Sequence, residues 1–219
     1  MSLKEQLAEY RAGWFKRVPA ERQAIMARHI DQLCNGTLPR TMLKVGDETP
    51  AIVLKNANGT TVDVGALREK GPVIVTFYRG GWCPYCNLEL KAYQEILPQI
   101  VAAGASLVAI SPEKPDDTLS TAEKNALSFE VLSDVGQTVG RAFGLVYDFT
   151  EELKAAYRGF NLDIPARNGT LGEWALPVSA TYVIDRDGCI IYAYTDVDYR
   201  DRADPHDVLT VLTRRAVAA

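Results

Sequence analysis

The sequence lacks the features of a membrane, secreted or nucleic-acid-binding protein. No apolar run approaches the ~18 residues needed to span a bilayer, and the N-terminal segment MSLKEQLAEYRAGW is charged, with no apolar signal-peptide core. The formal net charge is −4 and the isoelectric point is about 5.3, and an acidic surface is a poor match for nucleic acid. We therefore expect a cytoplasmic protein that has neither a membrane nor a nucleic acid as its partner.

Metal-ligating residues are also scarce. The chain has four cysteines and two histidines, whereas a structural zinc site needs about four ligands. Cys83 and Cys86 form the single Cys-x-x-Cys pair, and His29 and His206 stand apart from it. No glycine-rich segment fits a nucleotide-binding motif. The sequence thus predicts no bound metal and no bound cofactor.

The first 44 residues read as an N-terminal helical extension. Apolar periodicity predicts helices over residues 2–16 and 19–35, with Pro19 in the first turn of the second helix and Asn35-Gly36 as its stop signal. We predict an extension over residues 1–44 and a second unit over residues 45–219. The extension is interpreted first as a packing element, and two alternatives stay open: a contact in a homodimer, or a cover over the active site.

Strands and helices alternate from residue 45 onward. Asn58-Gly59 predicts a hairpin turn, and the apolar run over residues 72–78 predicts a central strand buried on both faces. Predicted strands cover residues 51–54, 60–64, 72–78, 106–110, 129–132, 178–184 and 189–194. Predicted helices cover residues 116–126, 135–143, 151–157 and 204–215, and another begins near residue 83 and is kinked or ended by Pro98. This order indicates an α/β fold with a central mixed sheet flanked by helices.

The segment FYRGGWCPYCN places the cysteine pair where a buried strand passes into a helix. The first helical turn offers free N–H groups and the positive end of the helix dipole, which favour a thiolate. Cysteines at such positions have pKa values of about 3.5–7.5, against about 8.5 for a free cysteine. Since the thiolate is the attacking species, we predict Cys83 as the exposed nucleophile. Cys86 lies one turn further on, within reach of Cys83, and is predicted as the more buried resolving partner; Pro84 suits the first turn.

Neighbouring residues offer further candidates. Arg79 either stabilises the thiolate and orients a peroxide or carboxylate, or it forms a surface salt bridge. Trp82 is interpreted as a shield for the sulfur, and Gly80-Gly81 as residues that permit a close or unusual backbone path. Other residues are expected to have no chemical role: His29 and His206 as bystanders, residues 199–202 as a solvated turn, and Cys34 and Cys189 as small buried apolar side chains.

The chain also resembles known families. Trp82-Cys83-x-x-Cys86 resembles thioredoxin, and Cys83-Pro84-Tyr85-Cys86 matches the dithiol glutaredoxin motif. The wider chain resembles the alkyl hydroperoxide reductase/thiol-specific antioxidant group, the peroxiredoxins, in the branch with a Cys-x-x-Cys site. The matching stretches are residues 77–87, 107–113, 129–136 and 180–188.

This resemblance implies a thioredoxin-like fold and reduction of a small hydroperoxide. Cys83 would be the peroxidatic residue, oxidised to a sulfenic acid, and Cys86 would resolve it to a disulfide. An external thiol, which is thioredoxin, glutaredoxin or glutathione, would then reduce the enzyme. The residues assigned to the substrate are Trp82, Pro84, Tyr85 and Ser179.

The chain departs from the usual peroxiredoxin pattern at three places. The Thr or Ser expected three residues before the cysteine is Gly80, and the residue seven before it is Thr76 instead of Pro. The second arginine that usually precedes the late strand has no match in Pro-Val-Ser-Ala at 177–180, and Arg79 is a candidate substitute. The cis-proline of thioredoxin-like folds would fall at Ser179, so either Pro177 takes its part or Ser179 faces the sulfurs.

Three functions therefore stay open. The first is a thiol peroxidase with antioxidant activity, which the whole-chain resemblance favours. The second is a disulfide reductase of the thioredoxin or glutaredoxin kind, which the CPYC motif favours. The third is a redox sensor or interaction module without catalysis. The first two share the same nucleophile, Cys83.

Overall fold

The computed structural model describes residues 1–218 and contains nine strands and ten helices within that range. The strands are β1 (Val53–Asn56), β2 (Thr61–Asp63), β3 (Val73–Phe77), β4 (Ser106–Ser111), β5 (Glu130–Ser133), β6 (Val146–Asp148), β7 (Ala175–Pro177), β8 (Ala180–Ile184) and β9 (Ile190–Thr195). The helices are α1 (Leu3–Arg17), α2 (Ala20–Asn35), α3 (Leu38–Thr41), α4 (Val64–Arg68), α5 (Pro84–Ala102), α6 (Pro115–Lys124), α7 (Thr138–Ala142), α8 (Glu151–Arg158), α9 (Ile164–Asn168) and α10 (Pro205–Ala218).

Seven of the strands in the described range form one mixed sheet, in the order β2-β1-β5-β4-β3-β8-β9. β4 runs parallel to both β3 and β5, whereas β8 is antiparallel to β3 and β9 is antiparallel to β8. Every residue of β3 is buried, as its apolar run predicts for a strand covered on both faces. The predicted α/β fold with a central mixed sheet and a terminal antiparallel hairpin is confirmed.

The sequence does not predict the two short strands β6 and β7. β6 and β7 pair antiparallel as a separate small sheet, in which Pro177 faces Val146. Three-residue strands are too short for an alternating pattern to develop, so no periodic signal marks them. The predicted strand over 178–184 is therefore shorter than expected, because β8 begins only at Ala180.

Helix α5 carries the cysteine pair and packs on the sheet. It begins at Pro84, with Cys83 as its N-cap, and continues through Pro98 to Ala102. Pro98 does not end the helix: it is exposed, so the hydrogen bond that it cannot donate is lost on the solvent side. No helix among residues 1–218 is long and apolar enough to cross a membrane.

The residues before 45 pack against the later chain. Ser2 caps α1, because its side chain accepts a hydrogen bond from the Glu5 N–H and Glu5 accepts one in return from the Ser2 N–H. Helix α1 contacts α5, and α2 contacts α8. The division of the chain at residue 45 stays a prediction.

The core of the sheet gives a direct stability test. Leu132 on β5 is completely buried, so Leu132→Ala should lower the free energy of unfolding by about 2–5 kcal/mol through lost burial and a new cavity. Urea unfolding measures the change. Leu171→Ala is the control, because Leu171 is fully exposed, and it should change stability by less than about 0.5 kcal/mol. Equal effects of the two substitutions would contradict the assignment of Leu132 to the core.

Candidate active site

The loop between β3 and α5 sets the position of Cys83. Gly80 has φ 141°, a region that favours glycine, and a Cβ there would collide with the indole of Trp82 and lie 2.8 Å from the Glu113 carboxyl carbon. The Cys83 N–H donates to the Gly80 carbonyl at 3.0 Å, and the Cys83 carbonyl accepts from the Asn87 N–H at 3.1 Å. The sulfur is therefore held at the first turn of the helix.

Side chains from two other segments fix this loop. Glu113, at the end of the stretch LVAISPE, accepts a hydrogen bond from the Gly81 N–H at 2.7 Å. Asn87 donates to the Gly81 carbonyl at 2.8 Å, and Asn125 donates to Asn87 Oδ1 at 2.9 Å. Burial raises the pKa of Glu113 to about 7, although the bond from Gly81 opposes this shift. Sequence reasoning missed Glu113, Asn87 and Asn125, because nothing in their local pattern reports a contact with a distant loop.

Arg79 lies buried beside Cys83. Its Nη1 is 3.8 Å from Cys83 Sγ, and its Nη2 donates to the Tyr157 hydroxyl. Its guanidinium lies 4.0 Å from the ring centroid of Tyr199 and 4.9 Å from that of Trp82. At 2% exposure, Arg79 does not form the surface salt bridge that was the alternative reading. The structure therefore places a buried positive charge beside the sulfur, and three aromatic rings surround that charge.

The environment favours the Cys83 thiolate. Burial by itself raises the pKa of Cys83, but hydrogen bonding from the Cys86 thiol and the charges of Arg79 and Arg202 outweigh it. The pKa of Cys83 is consequently well below its ordinary value. Burial raises the pKa of Cys86 well above its ordinary value, and so do its hydrogen bond to Cys83 and the negative charge there. The negative charge of the pair is therefore favoured on Cys83, and the proton is favoured on Cys86.

A second arginine lies beside Cys86. Arg202 Nη2 is 3.5 Å from Cys86 Sγ, and Arg202 Nη1 is 2.9 Å from Glu89 Oε2. The prediction that residues 199–202 form a solvated turn is wrong for Tyr199 and Arg202, which are both 8% exposed. The charges of this segment predict a solvated turn, whereas the residue of α5 that it contacts lies more than 100 positions away in sequence. The sequence does indicate Glu89 as a candidate, because a charged residue stands one turn after Cys86 on the buried face of α5.

An aromatic cleft of about 340 Å³ leads to Cys83. Tyr10 and Trp14 of α1 line it, and the Tyr10 ring meets the Tyr85 ring edge to face at 5.0 Å. Helix α1 thus covers the site in addition to packing on α5. Cys83 is only 2% exposed, so the prediction of an exposed nucleophile is wrong. The full lining is Tyr10, Trp14, Arg17, Val18, Met26, Arg79, Trp82, Cys83, Pro84, Tyr85, Tyr157, Phe160, Leu162 and Tyr199.

Three of the four residues assigned to the substrate, Trp82, Pro84 and Tyr85, line this cleft. Ser179 does not: it is 2% exposed, and its Oγ has no hydrogen-bond partner among the described residues. No peptide bond within residues 1–218 is cis, so Pro177 is not a cis-proline.

Other cysteines and polar residues lie elsewhere. The prediction that Cys34 and Cys189 are buried is wrong, since Cys34 is exposed and Cys189 is half-buried. His29 is buried and packs 4.9 Å from the Tyr147 ring, and burial lowers its pKa to about 4. Thr76 accepts a hydrogen bond from Thr181 within the sheet.

Comparison with known proteins identifies the family. The sequence model described as the AhpC/TSA family matches residues 45–193, which is more than half of the chain.

The chain belongs to the AhpC/TSA family. A Mycobacterium tuberculosis protein named as a provisional peroxiredoxin is 29% identical over 157 residues, which are 72% of this chain and 88% of that protein. The chloroplastic peroxiredoxin Q of Populus jackii is 28% identical over 151 residues, which are 69% of this chain and 60% of that protein. Peroxidoxin BcpB of M. tuberculosis has a similar crystal structure, with a TM-score of 0.61, 22% identity and coverage of 78% of this chain and 97% of that one.

Membership of the AhpC/TSA family bears on both the fold and the function. The structural likeness shows the thioredoxin-like fold. The family and its peroxiredoxin relatives support thiol-dependent reduction of hydroperoxides, and favour it over a disulfide reductase or a redox sensor. Peroxiredoxins hold no prosthetic group and are reduced by an external thiol.

The contact between Arg79 and Cys83 predicts a measurable shift. Arg79→Met removes the positive charge nearest to the sulfur, so the pKa of Cys83 should rise by roughly one unit or more. Thiolate absorbance near 240 nm, or the rate of iodoacetamide alkylation against pH, measures it. Arg40→Met is the matched control, because Arg40 is exposed on α3. An unchanged titration in Arg79→Met would show that this arginine does not stabilise the thiolate.

Proposed function

We propose that this protein reduces hydroperoxides through a Cys83 sulfenic acid that Cys86 resolves to a disulfide. The observation that carries the proposal is the Cys83 sulfur at the head of α5, facing a cleft and 3.8 Å from the buried Arg79 guanidinium. The thiolate attacks one peroxide oxygen, the O–O bond breaks, and the leaving alkoxide or hydroxide takes up a proton. Arg79 neutralises the negative charge that moves from sulfur to the departing oxygen.

Hydrogen-bonding groups around the cleft suit a peroxide. Tyr157 lines the cleft and accepts a hydrogen bond from Arg79, which leaves its own O–H free to donate. We propose that Tyr157 supplies the hydroxyl that a Thr or Ser at position 80 would otherwise provide and that Gly80 lacks. Trp82 Nε1 and Tyr85 Oη are buried without a hydrogen-bond partner among the described residues, and both can bond a peroxide oxygen.

The size of the cleft favours an organic hydroperoxide as substrate. One water occupies roughly 30 Å³ in the liquid, so hydrogen peroxide fills only a small part of a cleft of about 340 Å³. Aromatic side chains from α1 supply an apolar wall for an alkyl or aryl group.

The regenerating reductant is an external thiol, with thioredoxin, glutaredoxin and glutathione as the candidates. A cytoplasmic location and a homodimer complete the proposal.

Single-turnover kinetics test the proposed chemistry. Reduced protein is mixed with hydrogen peroxide and then with cumene hydroperoxide, while the fluorescence of Trp82 and the other tryptophans is followed. We expect Cys83→Ser to abolish oxidation, and Cys86→Ser to stop at a sulfenic acid that dimedone traps. Cys34→Ser is the matched control and should behave as the wild type, because Cys34 is exposed on α2. Oxidation no faster than that of a free thiolate, with rapid exchange against disulfides, would instead indicate a disulfide reductase.

The wall contributed by α1 predicts a change in peroxide preference. Trp14→Ala should lower kcat/KM for cumene hydroperoxide by roughly tenfold, since about 1.4 kcal/mol of transition-state binding corresponds to that factor. Hydrogen peroxide should be affected less than twofold, because it does not reach this wall. Val101→Ala is the control: Val101 lies on α5, is 62% exposed and does not line the cleft. Equal losses with both peroxides would contradict a role for Trp14 in preference.

A further inference from the structure

Arg202 occupies a position that the first chemical step does not require. It lies against Cys86 instead of Cys83, with Nη2 3.5 Å from Cys86 Sγ. Two further contacts hold the guanidinium: an ion pair with Glu89 at 2.9 Å and a hydrogen bond donated to the Tyr199 carbonyl at 2.5 Å. The side chains of Arg202 and Glu89 are both 1% exposed. The Arg202 guanidinium is thus a buried charge that several contacts hold in place beside the Cys86 sulfur.

We propose that Arg202 is a catalytic residue of the second step, in which it stabilises the Cys86 thiolate that attacks oxidised Cys83. This inference rests on the proposed peroxidase cycle. In the reduced protein, the Cys83 thiolate and its hydrogen bond to Cys86 oppose ionisation of the Cys86 thiol. Once a peroxide converts Cys83 to a neutral sulfenic acid, that opposition is gone, while Arg202 remains. The negative charge thus passes from one sulfur to the other in the order that the cycle needs.

The step balances without a further reagent. The Cys86 thiol loses its proton, and the thiolate attacks Cys83 Sγ. The S–S bond forms as the S–O bond of the sulfenic acid breaks. The departing hydroxide takes up the proton and leaves as water, and each sulfur ends in the disulfide.

Titratable groups from several elements act on Cys86. They are Cys83 and Arg79 in the loop before α5, Tyr78 after β3, Tyr147 of β6 and Arg202 after β9, and Glu89 of α5 pairs with Arg202. Burial raises the pKa of both tyrosines, so they stay neutral near pH 7. Burial also raises the pKa of Glu89 to about 7, although Arg202 opposes this shift. The two arginines are the groups that keep a fixed charge throughout the cycle.

The two steps can be measured separately in one experiment. Reduced protein reacts with one equivalent of hydrogen peroxide between pH 6 and pH 8, and rapid quenching with dimedone reports the formation and the loss of the sulfenic acid. In Arg202→Met we expect the loss of sulfenic acid at pH 7 to slow by roughly tenfold or more, and to accelerate by about tenfold per pH unit as the thiol ionises. Arg202→Lys should restore part of the rate. Arg200→Met is the matched control, because Arg200 lies in the same segment but pairs with Asp198.

The outcomes separate this inference from the proposed function. If the sulfenic acid does not form in the wild type, the proposed peroxidase cycle is wrong. Normal formation, followed in Arg202→Met by loss at the wild-type rate with the wild-type pH profile, overturns the role of Arg202. Equal slowing of both steps overturns it too, because that result reports a structural defect.

If Arg202→Met does not fold, Arg202→Lys keeps the role of Arg202 testable, and a second variant tests the transfer of charge between the sulfurs. In Cys83→Ser, a neutral hydroxyl stands where the neutral sulfenic acid would be. The pKa of Cys86, followed by absorbance near 240 nm, should then lie at least roughly one unit below the second thiol ionisation of the reduced wild type. An equal or higher pKa in Cys83→Ser contradicts the transfer of charge between the sulfurs.

Discussion

Two guanidinium groups buried beside two sulfurs are the constraint on which the rest of the site depends. A buried charge without a partner is strongly unfavourable, and removing one member of a buried ion pair costs about 3–5 kcal/mol. Arg202 has Glu89 as its partner. Among the described side chains, Arg79 forms no ion pair with a carboxylate; its neighbours are Cys83, the Tyr157 hydroxyl and aromatic ring faces. The Cys83 thiolate therefore acts as the counterion of Arg79, and the thiolate and the buried arginine stabilise each other.

The aromatic cover makes this pairing effective. Rings from three separate parts of the chain surround Arg79 and Cys83, namely those of Trp82, Tyr157 and Tyr199, and α1 closes the cleft with Tyr10 and Trp14. Exclusion of water lowers the local dielectric, so a charge a few ångströms away acts more strongly than it would on the surface. Helix α1 lies outside the residues that match the family. Helix α1 thus adds a wall to a site whose nucleophile, Cys83, and whose nearer arginine, Arg79, lie within the matched residues.

Sequence reasoning was sufficient wherever the signal is local. The apolar run of β3, the Gly-Gly turn and Pro84 after Cys83 all lie within a dozen residues, and together they place the cysteine pair at a helix start. The remaining features depend on contacts between distant segments. The cleft over Cys83 is lined partly by α1, and Arg202 belongs to a segment after β9 whose charged residues resemble those of a solvated turn. Composition and periodicity carry no information about such pairings.

The same charges bear on how readily the oxidised site is reduced. In the reduced protein, the Cys83 thiolate balances Arg79, and Glu89 balances Arg202 when it is ionised. In the proposed cycle the disulfide carries no charge, so its formation leaves one buried guanidinium without a counterion. Stabilising the reduced thiolate while destabilising the disulfide raises the reduction potential of a dithiol pair, as it does in strongly oxidising dithiol proteins. The arrangement that activates Cys83 toward a peroxide therefore also favours its return to the reduced form by an external thiol.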